Sequence, residues 1–227
     1  MKKRAFYTEI SYLLGIIILA IGTAMMERAN LGVSMVVAPA YLLYLKINPM
    51  LPFFSFGMAE YMLQLVILLA MMLVLRRVKL SWLFSFATAV LYGLALDGAM
   101  ALIARIPGSG MAFRIAFFLL GMVVSGMGVS LFFHTYLPPE AYELFVKEIS
   151  ARFGIPLYRF KTIYDCASCL IAVIMSFAFF GFGVFQGVKW GTVFCALVNG
   201  WVIGRCTRAL DYFFDFKDGT KLRSFFL

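Results

Sequence analysis

Residues 13–22 read LLGIIILAIG and residues 119–128 read LLGMVVSGMG. The two segments carry the same leucines and glycines at one offset: Leu13 and Leu119, Leu14 and Leu120, Gly15 and Gly121, and Gly22 and Gly128. Each segment is followed by a polar helix end, a short proline-bearing segment and a long apolar stretch. This order predicts an internal repeat that divides the chain into residues 1–106 and residues 107–227, the second half closing with a short basic tail.

The whole chain has the composition of a membrane protein. Apolar residues make up 63% of it, charged residues only 14%, and the mean hydropathy is +0.94. Soluble domains average roughly 45–50% apolar and about 25% charged residues. The solvent of such a chain is largely lipid, in which the backbone must satisfy its own hydrogen bonds, so we expect an all-α integral membrane protein.

Six stretches are apolar enough, and long enough, for a helix that crosses a bilayer, which needs about 20 residues. They are residues 9–27, 55–75, 80–103, 113–134, 160–181 and 188–209. A shorter segment follows the first span of each half. Residues 33–46 carry Pro39 in their middle, and residues 138–153 open with two prolines and then place apolar and acidic residues on opposite helical faces. These segments are expected to be re-entrant or amphipathic helices, in the interface or against the bundle.

The basic residues divide unequally between alternate loops, and lysine and arginine are retained on the cytoplasmic side. One set comprises Lys2, Lys3, Arg4, Arg76, Arg77, Lys79, Lys147, Arg152, Arg159, Lys161, Arg205, Arg208, Lys217, Lys221 and Arg223. The opposite set comprises Arg28, Lys46, Arg105, Arg114 and Lys189. We therefore predict that both termini are cytoplasmic. The net charge of +9 then reflects topology and not nucleic-acid binding, and the basic rim should attract anionic lipid head groups.

The beginning of the chain, MKKR followed by an apolar run, resembles a signal peptide. The same apolar segment recurs in mid-chain, where no signal peptidase would use it. We therefore expect the first segment to remain as a span.

Three spans in each half force the second half to cross the membrane upside down relative to the first. Inverted repeats of this kind are typical of secondary transporters, whose interrupted segments from the two halves form a site near the membrane midplane. The alternative interpretation is that the repeat records a duplication and supports only symmetric packing.

Ionisable and polar side chains near these segments are the candidate site residues, because a charge in hydrocarbon is costly without a function or a partner. The candidates for binding a substrate or coupling ion are Arg28, Asn30, Ser34, Glu60, Asp97, His134 and Asp165. We expect Arg28, Glu60 and Asp97 to line one cavity in the outer half, with Arg28 neutralising an anionic group of the solute and an acid carrying the coupling ion. Alternatively, Arg28 and His134 are solvated helix ends, and Asp165 forms an i,i+4 ion pair with Lys161.

Cofactor and metal motifs are weak. Cys166 and Cys169 form a Cys-x-x-Cys pair, but zinc would need two further ligands, so we expect apolar core cysteines, no disulfide, no metal and no cofactor. Gly200 and Gly204 form a small-residue face, either inside the bundle or in a homodimer. The chain also lacks a phosphate loop and a nucleophile elbow.

Three stretches, ERANLGVSMVVAPAYLL (27–43), YGLALDGAM (92–100) and GVKWGTVFCALVNGWVIG (187–204), together resemble the YczE/YyaS/YitT family of bacterial membrane proteins. The family pattern of Arg-Ala-x-Leu-Gly-Val-Ser is matched at residues 28–34, and its aspartate ending the third span is matched by Asp97. The resemblance implies a multi-pass protein of the bacterial plasma membrane, loosely described as a transporter. Some relatives carry a soluble C-terminal domain, which we do not expect in this protein.

The sequence is therefore interpreted as a permease-like secondary transporter of a small solute and not as an enzyme. The first alternative is a membrane-embedded accessory or scaffold protein that binds a partner or lipid without transport. The second is a membrane enzyme that uses His134 with Glu140 or Glu143.

Overall fold

A computed structural model gives the arrangement of the chain and describes residues 4–32, 34–54, 56–220 and 223. Three basic residues of the charge division, Lys2, Lys3 and Lys221, and Val33 of the family pattern lie outside the described residues. The described part contains eight α-helices and two short strands. In chain order these are β1 (Arg4–Tyr7), α1 (Thr8–Ala29), α2 (Ala38–Ile47), α3 (Phe56–Leu75), α4 (Phe84–Ile103), α5 (Met111–Phe133), α6 (Ala141–Phe153), α7 (Leu157–Phe180), α8 (Trp190–Phe213) and β2 (Phe214–Lys217).

Five helices of the described chain are long and apolar enough to cross a membrane, which confirms a helical membrane protein. They are α1, α3, α4 with the 3₁₀ turn that precedes it, α5 and α7. The sixth predicted span falls in α8, which is 24 residues long but is not among the five. Asn199 and Arg205 lie within this helix and lower its hydropathy.

The two strands are a departure from the expected all-α fold. β1 and β2 pair in parallel, with Arg4 opposite Phe214 and Phe6 opposite Phe216. The aromatic residues in both strands explain the pairing, because the Phe6 ring lies 5.0 Å from that of Phe214 and 5.6 Å from that of Phe216. Since β1 leads directly into α1 and β2 leaves α8, the start of α1 and the end of α8 lie side by side.

Helices α1 and α5 form the centre of the bundle and run antiparallel. A Cβ on Gly22 would lie 2.8 Å from the carbonyl oxygen of Gly121, and one on Gly121 would lie 2.8 Å from the carbonyl oxygen of Gly22. Towards the other end, a Cβ on Gly15 would lie 3.3 Å from the carbonyl oxygen of Gly128. The four repeated glycines are therefore where the two backbones approach each other.

The remaining helices surround this pair in a matched way. α4 packs on α1 as α8 packs on α5, and α2 packs on α7 as α6 packs on α3. Each short helix thus contacts a long helix of the other half. The two halves interlock and do not form separate domains.

The two short helices differ from expectation in one respect each. α2 begins at Ala38, so Pro39 lies in its first turn, where proline is favoured, and does not interrupt it. α6 buries Leu144 and Ile149 as expected, but it also buries Glu140 and Glu143 of the predicted polar face. Glu140 and Glu143 therefore point into the protein, whereas Lys147 and Glu148 of the same face are only partly buried.

The two halves differ where their last two helices meet. In the second half α7 packs closely on α8, and a Cβ on Gly200 would lie 2.0 Å from Thr162 Oγ1. In the first half, the described helices α3 and α4 make no comparable contact with each other. A Cβ on Gly93 or Gly98 of α4 would meet no atom of the described chain within 4 Å. The first half is open at the place where the second half is closed.

Candidate functional site

A cavity of about 810 Å³ lies beside the α1–α5 pair and receives side chains from all eight helices. Its volume is within the range of about 300–1,000 Å³ that is usual for small-molecule sites. Residues of both sequence halves therefore form its wall. The first half contributes most of that wall, because α3 and α4 are apart.

Lys161 of α7 is the buried cation of this wall, with a side chain only 1% exposed. Its Nζ lies 2.9 Å from Oδ1 of Asp165 and 3.7 Å from Oε1 of Glu143. Asn199 Nδ2 of α8 donates to Oδ2 of Asp165 over 3.4 Å. The lysine thus joins α6 to α7, and Asp165 links this pair to α8.

Three glutamates approach one another at the same wall. Glu60 comes from α3, Glu143 from α6, and Glu140 from the residue that precedes α6. They are close enough for their carboxylates to repel one another. Burial, followed by Glu143 and Glu60, raises the pKa of Glu140 well above its ordinary value. Lys161 lies near two of the three, Glu143 and Glu140.

Several buried polar atoms at the cavity have no hydrogen-bond partner among the described residues. They are Oε1 of Gln64, the hydroxyl of Tyr142 and Oε2 of Glu143. The three side chains are 1%, 1% and 5% exposed, and all three line the cavity. Because an unsatisfied buried polar group costs roughly 1–3 kcal/mol, such groups call for a bound molecule or water.

Aromatic rings form much of the remaining wall. Tyr41 and Tyr44 of α2 pack edge-on against Phe56 of α3, with ring centroids 5.9 and 6.2 Å apart. Tyr92 of α4 donates its hydroxyl to Thr23 Oγ1 over 2.9 Å. The cavity therefore combines a small acidic region with a larger aromatic and aliphatic surface.

Three of the predicted site residues, Ser34, Glu60 and Asp97, line this cavity. Ser34 is partly buried, and its carbonyl oxygen accepts from the first backbone N–H groups of α2. The apolar neighbours of Asp97 in the sequence predict a buried polar contact, but the residue is exposed and makes no hydrogen bond or ion pair with a described residue. The gap between α3 and α4 explains this exposure.

Arg28 does not converge with the two acids as expected, and it is not among the residues of the cavity wall. Its guanidinium donates to the carbonyl oxygens of Ala104, over 3.0 Å, and of Ile106. Arg28 therefore caps the end of α4. Asn30 ends α1 in a left-handed conformation, and its Oδ1 accepts from Lys189 Nζ over 2.8 Å. Both residues hold loops together outside the cavity.

His134 and Asp165 also lie outside the cavity wall. The His134 ring contacts the Ser130 carbonyl oxygen through Nδ1 at 2.7 Å and Asp211 through Nε2 at 3.0 Å, and it stacks on Phe216. This places it beside the strand pair, not with Glu140 or Glu143. Asp165 stands behind Lys161, so the predicted i,i+4 ion pair is confirmed, in a buried setting.

The sequence analysis did not include Lys161 among the site residues, and it named Glu140 and Glu143 only in the enzyme alternative. It counted Lys161 with the basic residues of the cytoplasmic rim, whereas the side chain is buried in the protein. The available signal was the Lys161–Asp165 spacing of four residues inside an otherwise apolar helix. Such a pair is unlikely to face lipid and points to a buried polar site.

The cysteines and small-residue face lie in helix contacts. All four cysteines are free thiols, and Cys166 donates weakly to the Ala196 carbonyl oxygen. No three His, Cys, Asp or Glu residues of the described chain are placed to hold a metal ion. Gly200 and Gly204 pack on Tyr158 and Thr162 of α7, so this face is occupied within the chain.

Comparison with curated proteins found no match, and comparison with solved structures found none either. One family model does match, and it covers residues 6–208. That region includes α1 to α7, most of α8 and therefore the whole cavity wall. The chain belongs to the family of unknown function DUF6198.

Proposed function

We propose that this protein is a secondary transporter of a small solute, and that the solute binds in the cavity between the two halves. The observation that carries the proposal is a cavity of about 810 Å³ that contains buried, unpartnered polar atoms inside a helical membrane protein. A structural polar cluster would satisfy its own members. Groups that remain unsatisfied around an accessible space are the expected form of a binding site.

The packing of the central helices supports an inverted repeat. α1 and α5 are equivalent in sequence and antiparallel, and Gly22 meets Gly121 as Gly15 meets Gly128. One two-fold rotation in the membrane plane would exchange both contacts. The matched contacts of α4, α8 and the two short helices agree with the same rotation. This is the arrangement of many secondary transporters.

The paired strands support an even number of crossings. The start of α1 and the end of α8 lie on the same side, which agrees with six spans if α8 also crosses. The charge division then places both termini in the cytoplasm, in a bacterial plasma membrane if the resemblance to the YczE/YyaS/YitT family is correct. Orientation, six spans, that relationship and a homodimer remain predictions.

The difference between the halves supports alternating access. α7 and α8 are closed on each other through Gly200 and Thr162, whereas α3 and α4 are apart. Exchanging these two conformations would close the cavity at α3 and α4 and open it between α7 and α8 on the opposite side. The same solute site would then face each compartment in turn.

Single-cysteine labelling tests this mechanism without knowledge of the solute. In a background with the four native cysteines replaced, Asp97→Cys reports on the open gap and Thr162→Cys on the closed one. Ile163 follows Thr162 in the chain and is 59% exposed, so Ile163→Cys is the matched lipid-facing control. We expect membrane-impermeant maleimide to label the two positions from opposite sides, and the control to stay unlabelled.

The accessory or scaffold alternative predicts a different result. In a protein that does not transport a solute, α7 and α8 do not need to separate. Thr162→Cys would then not react with maleimide from either side, whereas Asp97→Cys would react. That outcome would contradict the transporter proposal. The enzyme alternative has no supporting observation, because His134 contacts Asp211 and not Glu140 or Glu143.

A further inference from the structure

We infer that the cavity binds a small organic cation, either a protonated amine or a quaternary ammonium with apolar substituents. This inference rests on the proposed function and specifies its substrate class. It replaces the expectation that Arg28 receives an anionic group, because Arg28 is bound to loop carbonyls. Charge, unsatisfied acceptors and aromatic surface each lead to this class.

The charge of the wall is one-sided. Its described acidic residues are Glu27, Glu60, Asp97, Glu140 and Glu143, and its one described basic residue is Lys161. Lys161 is paired both with Asp165 at 2.9 Å and with Glu143 at 3.7 Å, so this one cation faces several carboxylates. Buried carboxylates without a cation are costly. A positively charged ligand supplies the missing charge, whereas an anionic one would add to the repulsion.

The unsatisfied atoms point to the same conclusion. Oε2 of Glu143 and Oε1 of Gln64 are hydrogen-bond acceptors with no partner among the described residues. Glu60 lies one helical turn before Gln64, and their side chains interact. A protonated amine would donate N–H hydrogen bonds to these acceptors, whereas a quaternary ammonium has no N–H and would meet them with the positive charge spread over its methyl groups. A carboxylate-bearing ligand offers them no donor.

The aromatic surface favours an organic cation over a bare metal ion. Tyr41, Phe56, Tyr92 and Tyr142 all line the cavity, and aromatic faces attract ammonium groups while accommodating apolar substituents. A metal ion needs several ligands converging within about 2.6 Å, but no three acidic, His or Cys residues of the described part converge in this way. A volume of about 810 Å³ also leaves room for a substituted ligand.

Equilibrium binding to the purified protein in detergent micelles tests the inference. The probe is radiolabelled phenyltrimethylammonium, and the competitors are the unlabelled cation, the neutral isostere tert-butylbenzene and the anion benzoate. We expect saturable binding that only the unlabelled cation displaces. Equal displacement by tert-butylbenzene would mean that the site recognises shape and apolar surface alone, and would overturn the inference.

Two variants connect binding to the carboxylates. Glu143→Gln and Glu60→Gln should each weaken binding about ten-fold, which corresponds to about 1.4 kcal/mol. Glu148→Gln is the matched control, since Glu148 lies on the same helix and borders a different pocket. It should bind as the unchanged protein does. Two separate acids are used so that poor folding of one variant leaves the other informative.

Failure of this inference differs from failure of the proposed function. Specific cation binding without the opposite-side labelling described above would keep the ligand class and reject transport. Opposite-side labelling without cation binding, or binding equal in the glutamate variants and Glu148→Gln, would keep transport and reject the ligand class.

Discussion

Lys161 Nζ lies 3.7 Å from Glu143 Oε1, in an ion pair between α7 and α6 with both side chains buried. The pair fixes a short amphipathic helix inside the bundle and brings Glu143 to the cavity. It also leaves Glu143 Oε2 without a partner among the described residues.

Replacing Lys161 alone should destabilise the protein more than replacing Lys161 and Asp165 together. Lys161→Met leaves two buried acids uncompensated, and breaking a buried pair in this way costs about 3–5 kcal/mol. The double variant Lys161→Met with Asp165→Asn removes one of those acids and should recover part of the loss. The midpoint of thermal unfolding in detergent measures both. Equal midpoints for Lys161→Met and the unchanged protein would contradict the buried assignment.

The close approach of α1 and α5 should tolerate no side chain. Gly22→Ala would place a Cβ 2.3 Å from the backbone nitrogen of Ser125, and overpacking of this kind costs typically 1–3 kcal/mol or more. Gly98→Ala is the matched control, because nothing of the described chain lies within 4 Å. Alanine favours a helix by roughly 0.5–1 kcal/mol over glycine, so the control should be neutral or slightly stabilising. Similar unfolding midpoints for the two variants would argue against the helix contact.

Stability should fall as pH rises through the range in which Glu140 loses its proton. The folded pKa of Glu140 is raised above its ordinary value of 4.5, so its contribution is complete below that value and is lost at higher pH. Lys147 titrates elsewhere: burial lowers its pKa to about 8, and its contribution is constant on the acidic side. Unfolding midpoints from mildly acidic to neutral buffer should therefore decline.

The control for this pH dependence is again a pair of glutamine variants. Glu140→Gln should flatten the decline, and Glu148→Gln should leave it unchanged. The groups that face Glu140 are Glu143, Glu60 and Lys161, and they remain in the variant, so a partial flattening is expected. A decline as steep in Glu140→Gln as in the unchanged protein would show that Glu140 is not the group responsible.

Both termini should lie in the cytoplasm. The start of α1 and the end of α8 lie side by side, and the charge division selects the inner face. Fusions of a fluorescent reporter that matures only in the cytoplasm should be active at each end. Alkaline phosphatase activity from a C-terminal fusion would contradict the orientation, and activity from one end alone would contradict the even number of crossings.

Much of the helical fold was predictable, because long apolar runs between charged loops determine where spans begin and end. The glycine repeat predicted two equivalent spans, and the structure shows that these spans, α1 and α5, contact each other at the repeated glycines. The site was less predictable. The charge count placed Lys161 among the basic residues of the cytoplasmic rim, and the amphipathic pattern of α6 left open whether the helix lies in the interface or against the bundle. Periodicity shows that one face is polar, but only tertiary packing shows that this face lines an internal cavity.

For Asp97 the sequence predicted burial where the structure shows exposure. Its apolar neighbours in the sequence predicted a buried contact, yet it is exposed at a gap between α3 and α4. The gap lies between α3 and α4, whereas α7 and α8 are in close contact. The sequence pattern does not show which of these helix pairs is closed.

Counterflow in proteoliposomes tests the central claim most directly. Vesicles loaded with unlabelled phenyltrimethylammonium are diluted into a trace of the labelled cation, and the label inside is followed over time. The account predicts transient accumulation of label by the unchanged protein and by Glu148→Gln, and little accumulation by Glu143→Gln. Label that only equilibrates at the rate of protein-free vesicles, in a preparation shown to bind the cation, would contradict transport through this cavity.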